Sequence, residues 1–325
     1  MDSLFDYLVT EAIDTQPIGS VAEAWARHRV AAARFATSVD RAIAGGFGAD
    51  RMGFAFLSGY QEAVRSLLPE VPDGDLVAVS ATEAGGAHPS AIRTTLVESD
   101  GRATVHGTKT FTTLGTAAQR LLVFAGTGKA ADGRNRLRAV LVDTEQPGVR
   151  RTDLPTVAFA PEIPHATVVF EEAVARVLPG DGYADYLKPF RTVEDAHVLA
   201  ATLGWLVRVG RESDWPRPVL QRLLAAVATV RGLEVVRPSS PGVHIALSGA
   251  FELLEQVLVE LDPLWECADP VIRERWERDR PLLAVAGRVR AMRLTAAWNS
   301  LANTERWSGS TWSRNGERAS AKGGS

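Results

Sequence analysis

Two short stretches of the chain, residues 81–86 (ATEAGG) and 107–113 (GTKTFTT), carry residue types that can hold a flat heteroaromatic ring. Their small residues let backbone approach such a ring closely, and their threonine hydroxyls can hydrogen-bond its polar edge. Phe111 adds one aromatic side chain that can pack beside the ring. The pair of stretches therefore predicts a seat for a flavin. The alternative is that the threonines fill a pleated surface and the glycines form a turn or bulge.

One carboxylate, Glu194, stands where acid–base chemistry is conceivable. Arg191 precedes it by three residues and His197 follows it by three, so all three side chains could share one helix face. The alternative is structural, because residues 192–195 (TVED) resemble a helix N-capping sequence, where acids interact with the positive end of the helix dipole. Both interpretations stay open on the residues alone.

Composition argues against several other functions. The formal net charge of -3 gives no basic field for nucleic acid. The six histidines show no ligand spacing with one another or with Cys267, so we expect no metal site. As the single cysteine, Cys267 cannot form an internal disulfide, and we expect it to be buried and inert.

The hydrophobic period changes twice along the chain. Helical spacing holds from about Val21 to Leu68, with the Gly45-Gly46 pair predicted as a helix stop and a second helix predicted over 49–67. Residues 76–178 are predicted to be mostly strands, because β-branched runs alternate there with turn residues. The helical period then returns in four candidate helices, at roughly 192–212, 217–236, 243–263 and 270–302.

These patterns predict an α+β protein in three parts. Helices occupy residues 1–74, a central antiparallel β-barrel or sandwich occupies 75–180, and a four-helix bundle occupies 181–303. Residues 304–325, rich in Ser, Gly, Arg and Lys, are predicted to be disordered. The N-terminus has acids where a signal peptide has bases, and no run of about eighteen uncharged apolar residues occurs. We therefore expect a cytoplasmic protein without a membrane span.

The stretch 81–86 resembles the Thr-Glu-Pro-Gly-Ala-Gly segment of acyl-CoA dehydrogenases, and 107–113 resembles the second flavin-contacting segment of that family. Residues 58–63 (SGYQEA) are similar to the family helix that precedes the β domain, and residues 168–172 (VVFEE) resemble one of its later strands. Arg278-Asp279 is a weaker likeness to an Arg-Asp pair of the family. The resemblance covers about residues 50–210 and identifies a short, divergent member.

The resemblance implies FAD as cofactor. Ala81 would supply backbone beside the flavin, Thr82 and Thr113 would supply hydroxyls, and Phe111 would stand in the family's aromatic position. Glu194 would be the catalytic base, which removes the α-proton of an acyl thioester while hydride passes from the β-carbon to flavin. The implied partners are acyl-CoA or a related small molecule, an electron acceptor, and further copies of the chain in a homodimer or tetramer.

The chain also departs from the family pattern. Ala84 replaces a proline, the N-terminal helical part is short, and the Gly-Gly-rich turn of the family's bundle is missing. Two alternatives therefore accompany the dehydrogenase hypothesis. One is a flavin-dependent monooxygenase or oxidase of the same superfamily, and the other is a non-catalytic homologue that serves in binding or assembly.

Overall fold

The computed structural model describes residues 3–233 and 235–302. Helices form both ends of this part of the chain and strands form its middle, which confirms the α+β class. The first four helices are α1 (Leu4–Thr10), α2 (Val21–Ala32), α3 (Ser38–Gly48) and α4 (Met52–Leu67). The predicted disordered tail, residues 304–325, lies outside the described residues.

The Gly45-Gly46 pair lies inside α3, so the predicted helix stop is wrong. Gly46 allows two helices to cross closely. A Cβ on Gly46 would lie 2.0 Å from the carbonyl oxygen of Ala201, which belongs to α5 (Lys188–Glu212). A glycine of α5 makes the corresponding close approach to α3, since a Cβ on Gly204 would lie 2.1 Å from the carbonyl oxygen of Ile43. Gly46 and Gly204 are therefore explained by tertiary packing, which local helix signals do not reveal.

Replacing Gly46 with alanine is expected to destabilise the protein by about 1–3 kcal/mol, because the added methyl group forces α3 and α5 apart. The matched control is Gly48→Ala in the same helix, where the nearest atom to the new methyl is Arg27 Cγ at 3.9 Å. Urea unfolding of both variants provides the measurement. Equal stability of the two variants would contradict the close crossing.

The central region forms one eight-stranded sheet, which sequence periodicity located well. Its strands are β1 (Val77–Ser80), β2 (Thr95–Ser99), β3 (Arg102–Thr113), β4 (Arg120–Lys129), β5 (Asn135–Asp143), β6 (Val149–Asp153), β7 (His165–Val174) and β8 (Arg176–Val177). Their order is β6-β7-β3-β2-β4-β5-β8, with β1 paired to β4.

The sheet is mixed, so the prediction of an antiparallel domain is correct for most strand pairings but not for those of β4 with β1 and β2. Strand β1 runs parallel to β4, and β2 touches β4 in parallel through Thr95 and Gly126. The other pairings are antiparallel. Strand β1 pairs with β4 and not with its successor β2, a non-local pairing that strand propensity does not encode.

The C-terminal helices are α5, α6 (Arg217–Arg231), α7 (Pro241–Leu261), α8 (Pro270–Asp279) and α9 (Gly287–Ala302). Helix α5 packs on α3, α4 and α6, while α7 packs on α9. The candidate helix over 270–302 is interrupted by a short 3₁₀ helix, Arg280–Ala284. Pro281 lies in this segment, where its missing N–H and fixed φ end the regular α-helix.

Two surface features bear on the earlier expectations. Cys267 is exposed at the end of the 3₁₀ helix Asp262–Cys267, so its predicted burial is wrong. Within the described residues, the helical stretch Pro241–Cys267 has the length and mean hydropathy, 1.3, of a membrane span. Length and composition do not separate such a span from a helix of a globular protein, so this one stretch is weak evidence for a membrane.

Candidate functional site

A cavity of about 340 Å³ lies where the sheet meets the helices. Strands β3 and β7, the loop before β7, helices α4, α5 and α7, and the segment 282–290 all contribute to its wall. The wall is predominantly apolar. Its polar or titratable members are Thr113, His165, Glu194, Asp195 and Arg290.

Phe111 and Thr113 reach this cavity from the end of β3. The pairing of β3 with β7 shifts register between Lys109 and Thr112, and Phe111 within that irregularity has a φ of 50°. A positive φ is costly for an aromatic residue and persists only where the surrounding structure enforces it. The side chain is 58% exposed and meets the ring of His165 edge-on at 6.4 Å between centroids. An exposed, strained aromatic residue on an apolar cavity is a place where a planar ligand can stack.

Ala81 and Thr82 follow β1 and do not belong to the cavity wall. Their backbone is tied to β3 instead, since the Thr82 carbonyl accepts a hydrogen bond from Thr110 N at 2.8 Å. The structure therefore brings Phe111, Thr113 and Glu194 to one cavity and leaves Ala81 and Thr82 out of its wall.

A buried ion pair, which the sequence argument missed, joins the two stretches. Lys109 Nζ donates to Glu83 Oε1 at 2.8 Å and to the Phe124 carbonyl at 2.7 Å, with a longer contact of 3.4 Å to the Ala81 carbonyl. Glu83 also accepts hydrogen bonds from Thr94 N and Oγ1. Thus the acid of the first stretch and the lysine of the second fix the backbone and do not face the ligand space.

Burial dominates the pKa of Lys109, which it lowers to about 8, while the hydrogen bond and charge of Glu83 act in the opposite direction. For Glu83, burial raises the pKa, but the hydrogen bond and charge of Lys109 outweigh it and hold the pKa below its ordinary value. In this environment the charged form of Glu83 is stabilised overall, whereas the charged form of the more deeply buried Lys109 is destabilised.

Glu194 lies beyond the first turn of α5, six residues after its beginning at Lys188. A turn of π-helix, Gly182–Leu187, leads into α5, and the Asp181 side chain caps that turn by accepting from Tyr183 N and Ala184 N. The capping interpretation of Glu194 is therefore wrong. The helix starts earlier than its internal TVED sequence suggests.

The carboxyl of Glu194 is partly exposed to the cavity and has no hydrogen-bond or ion-pair partner within residues 3–233 and 235–302. Burial raises its pKa to about 8, with a further increase from the charge of Asp195, while Arg293 and Arg191 act to lower it. Desolvation is effective here because the exposed part of the side chain faces an apolar cavity and not bulk water. A free carboxyl with such a pKa is suited to proton transfer near neutral pH.

The expected companions of Glu194 have other partners. His197 is fully buried and hydrogen-bonds the Val193 carbonyl at 2.7 Å and Ser38 Oγ at 2.8 Å. Arg191 donates to the Ala87 carbonyl at 2.8 Å. The three-residue spacing therefore does not create a catalytic cluster.

The loop between β6 and β7 is held against the cavity by α8. Asp279 Oδ1 accepts from Ala160 N at 2.7 Å, and Arg278 contacts Glu162 at 3.4 Å. Arg278 also donates to Asp279 from Nε at 2.7 Å. The Arg278-Asp279 pair therefore shapes the cavity wall, since Ala160 is one of the wall residues.

The cavity fits the ring of a flavin better than its phosphates. Phe111 offers a stacking surface and Thr113 a hydroxyl at the same apolar wall. Among the described residues, the guanidinium that lines the cavity is that of Arg290, which is already bound by Asp195 and by the Leu283 carbonyl. No group of three His, Cys, Asp or Glu side chains that could hold a metal ion occurs in the described part of the chain. That the protein binds no metal stays a prediction.

Comparison with known proteins agrees with the architecture. Residues 78–173 match the family model described as acyl-CoA dehydrogenase, middle domain. No curated protein sequence matches the chain. Solved structures with the same fold include one described as an electron transferring flavoprotein of Acidaminococcus fermentans, with a TM-score of 0.67 and 14% identity over 86% of this chain and 90% of that one.

Two further structures share the fold. Butyryl-CoA dehydrogenase from Megasphaera elsdenii aligns with a TM-score of 0.63 and 16% identity, covering 87% of this chain and 91% of its own. The prolyl acyl carrier protein oxidase AnaB aligns with a TM-score of 0.65 and 14% identity, covering 92% and 96%. At these identities the comparisons establish the fold, and the chemistry must be argued from the site.

Proposed function

This chain belongs to the acyl-CoA dehydrogenase family through its middle domain, and from that premise we propose that it is an FAD-dependent oxidoreductase acting on an acyl thioester. One observation carries the proposal. The strained aromatic Phe111, the hydroxyl of Thr113 and the unpaired carboxyl of Glu194 converge on a single apolar cavity. A ring-binding surface and a base of raised pKa are the two components that α,β-dehydrogenation requires.

In the proposed site Phe111 and Thr113 would hold the flavin ring, and backbone near Ala81 and Thr82 would support the neighbouring strand. Bound flavin would supply the acceptor for the hydride that leaves the substrate β-carbon. Glu194 would take the α-proton onto its carboxylate as hydride leaves the β-carbon, and the two departures together would leave a double bond between the α- and β-carbons of the thioester. The apolar wall excludes water, which keeps the Glu194 proton affinity high.

We propose a cytoplasmic homodimer or tetramer with an acyl-CoA substrate and a separate electron acceptor. Helices α5, α6, α7 and α9 would form the four-helix bundle of the family. Assembly through these helices is supported by exposed apolar side chains on α7 and α9, Val259 at 70% and Met292 at 63% exposure. The molar mass of the purified protein in solution tests this assembly.

Purified protein is expected to show the visible absorption of a flavin, or to gain it when FAD is added. Added FAD should raise the melting temperature, because a ligand that binds only the native state stabilises it. Phe111→Ala should weaken FAD binding. The loss of ring stacking should cost about 0.5–1.5 kcal/mol, in addition to the free energy of the apolar surface that is no longer buried. The control is Val174→Ala, an exposed β7 position outside the cavity wall.

A colourless protein whose melting temperature ignores FAD would reject the proposal. That result would favour the non-catalytic alternative. Arg290, the arginine at the cavity wall of the described chain, supports this alternative because it is already bound by Asp195 and the Leu283 carbonyl and is not free to bind a flavin phosphate. A flavin-containing protein that consumes oxygen without acyl-CoA would instead favour the oxidase or monooxygenase alternative. Each of the three outcomes therefore supports a different one of the three proposed functions.

A further inference from the structure

Two adjacent carboxylates of α5, Glu194 and Asp195, line the cavity but have different surroundings. Asp195 Oδ1 accepts a hydrogen bond from Arg290 Nη1 at 3.3 Å, and its Oδ2 accepts one from Arg293 Nη2. Glu194 has neither of these partners within the described residues. Both arginines therefore bind the same one of two neighbouring acids.

The two arginines form one cluster with Asp195. They lie three residues apart on α9, so their side chains project from one helix face. Arg290 also donates to the Leu283 carbonyl at 2.7 Å, and its guanidinium lies 3.8 Å from the ring centroid of Phe251. The side chains of Arg290, Arg293 and Asp195 are 16%, 18% and 8% exposed, so their charges are only weakly screened by solvent.

We infer that Asp195 is a positioning residue, which binds Arg290 and Arg293 and thereby keeps both guanidinium groups from pairing with Glu194. This inference rests on the proposed role of Glu194 as base. A guanidinium on Glu194 would hold it as a carboxylate of low proton affinity, since an opposite charge within a few ångströms lowers a carboxyl pKa by about 1–3 units. A base that must accept a proton from carbon needs the opposite condition.

Charged and titratable groups reach Glu194 from each element around it. Arg191 and Asp195 come from its own helix, while Arg290 and Arg293 come from α9. The charge of Glu194 helps to raise the pKa of Tyr60 on α4, and His165 of β7 lines the same cavity. Arg191 is bound by the Ala87 carbonyl, and Arg290 has the Leu283 carbonyl as a second partner, so Arg293 is the arginine with the most freedom to turn from Asp195 to Glu194.

The test is the infrared titration of the Glu194 carboxylic acid in the protein as purified. Its carbonyl stretch is identified as the band that disappears in Glu194→Gln. In Asp195→Asn the titration midpoint is expected to fall by about one pH unit or more, because a negative neighbour is lost and the arginines that it binds lose their counter-charge. Asp195→Glu, which keeps the charge, should restore a midpoint close to that of the wild type.

The matched control is Asp40→Asn. Asp40 is also buried and also binds an arginine of a C-terminal helix, through Arg231 Nε at 2.6 Å and Nη2 at 3.0 Å. It lies outside the cavity wall, so its removal should leave the Glu194 midpoint unchanged. An unchanged or raised midpoint in folded Asp195→Asn, checked by circular dichroism, would overturn the inference.

If Asp195→Asn fails to fold, Arg293→Gln supplies the test. Asp195 then keeps Arg290, and the Glu194 midpoint should rise because a nearby cation has been removed. An unchanged midpoint in that variant would also overturn the inference. Because the titration needs neither flavin nor turnover, a protein without flavin activity but with these shifts would reject the proposed function and leave the role of Asp195 intact.

Discussion

Replacing Glu83 with glutamine is expected to destabilise the folded protein by about 3–5 kcal/mol, because it leaves a buried ammonium without its counter-charge. The Lys109 side chain is 0% exposed and that of Glu83 only 7%, so solvent cannot take over the role of the lost carboxylate. The carboxylate also accepts hydrogen bonds from Arg93 N and Thr94 N, so the exchange disturbs three sets of donors at once.

The deficit should depend on pH in a defined direction. Burial already lowers the pKa of Lys109 to about 8, and without Glu83 this pKa falls further. Between the folded-state pKa and the unfolded value of about 10.4, the unfolded chain binds the extra proton, so stability rises with pH in that window. The glutamine variant should therefore recover part of its stability as the buffer becomes alkaline.

Urea unfolding of Glu83→Gln, Lys109→Met and the double variant measures the effect. The double variant should lose less unfolding free energy than the two single variants lose together, because it removes both buried charges. The control is Glu171→Gln, which breaks the exposed bidentate pair with Arg150 and should leave the unfolding midpoint nearly unchanged. Equal losses in Glu83→Gln and Glu171→Gln would contradict the structural importance of the buried pair.

Lys109 also shows where prediction from the sequence reached its limit. Its stretch was located by the alternation of strand residues and by its likeness to a flavin-contacting segment. Which side chains face the cavity depends on the register shift next to Phe111, and that shift is set by pairing with β7 about fifty residues later. A pattern of period two cannot include a bulge that a distant strand imposes.

The helices lead to the same conclusion. Helical periodicity predicted α5 and α7 within a few residues, because each has an apolar face that recurs along the chain. It misplaced the beginning of α5 and misread Gly46, since a preceding π-turn and a close helix crossing are decided by tertiary contacts. The partners of Asp195 lie 95 and 98 residues away, so the contrast between Asp195 and Glu194 could not be predicted from spacing.

Replacing Glu194 with glutamine is expected to slow substrate-driven flavin reduction by about 10²–10⁴, the typical contribution of a positioned general base. The amide keeps the size of the side chain but cannot take the α-proton. Fold and flavin content should remain, because Glu194 has no bonding partner in the described chain whose loss would disturb packing. Stopped-flow reduction with a series of acyl-CoA thioesters provides the measurement.

The wild-type reduction rate should rise with pH and level off above about 8, because Glu194 must be ionised to act and its pKa is raised to about 8. The control is Glu212→Gln, at the far end of the same helix and outside the cavity wall. A glutamine variant at position 194 that reduces its flavin as fast as this control would remove Glu194 from the reaction.

Stability should change in the opposite direction to activity in Glu194→Gln. A carboxyl whose folded-state pKa is raised binds more protons in the native state than in the unfolded chain, so the wild type loses stability as pH rises from about 4 to 8. The neutral amide avoids this loss, and the variant should exceed the wild type above pH 8 by an amount on the order of a few kcal/mol. Such a gain, together with lost reduction, would mean that the protein keeps an uncompensated acid in an apolar cavity because the reaction requires it.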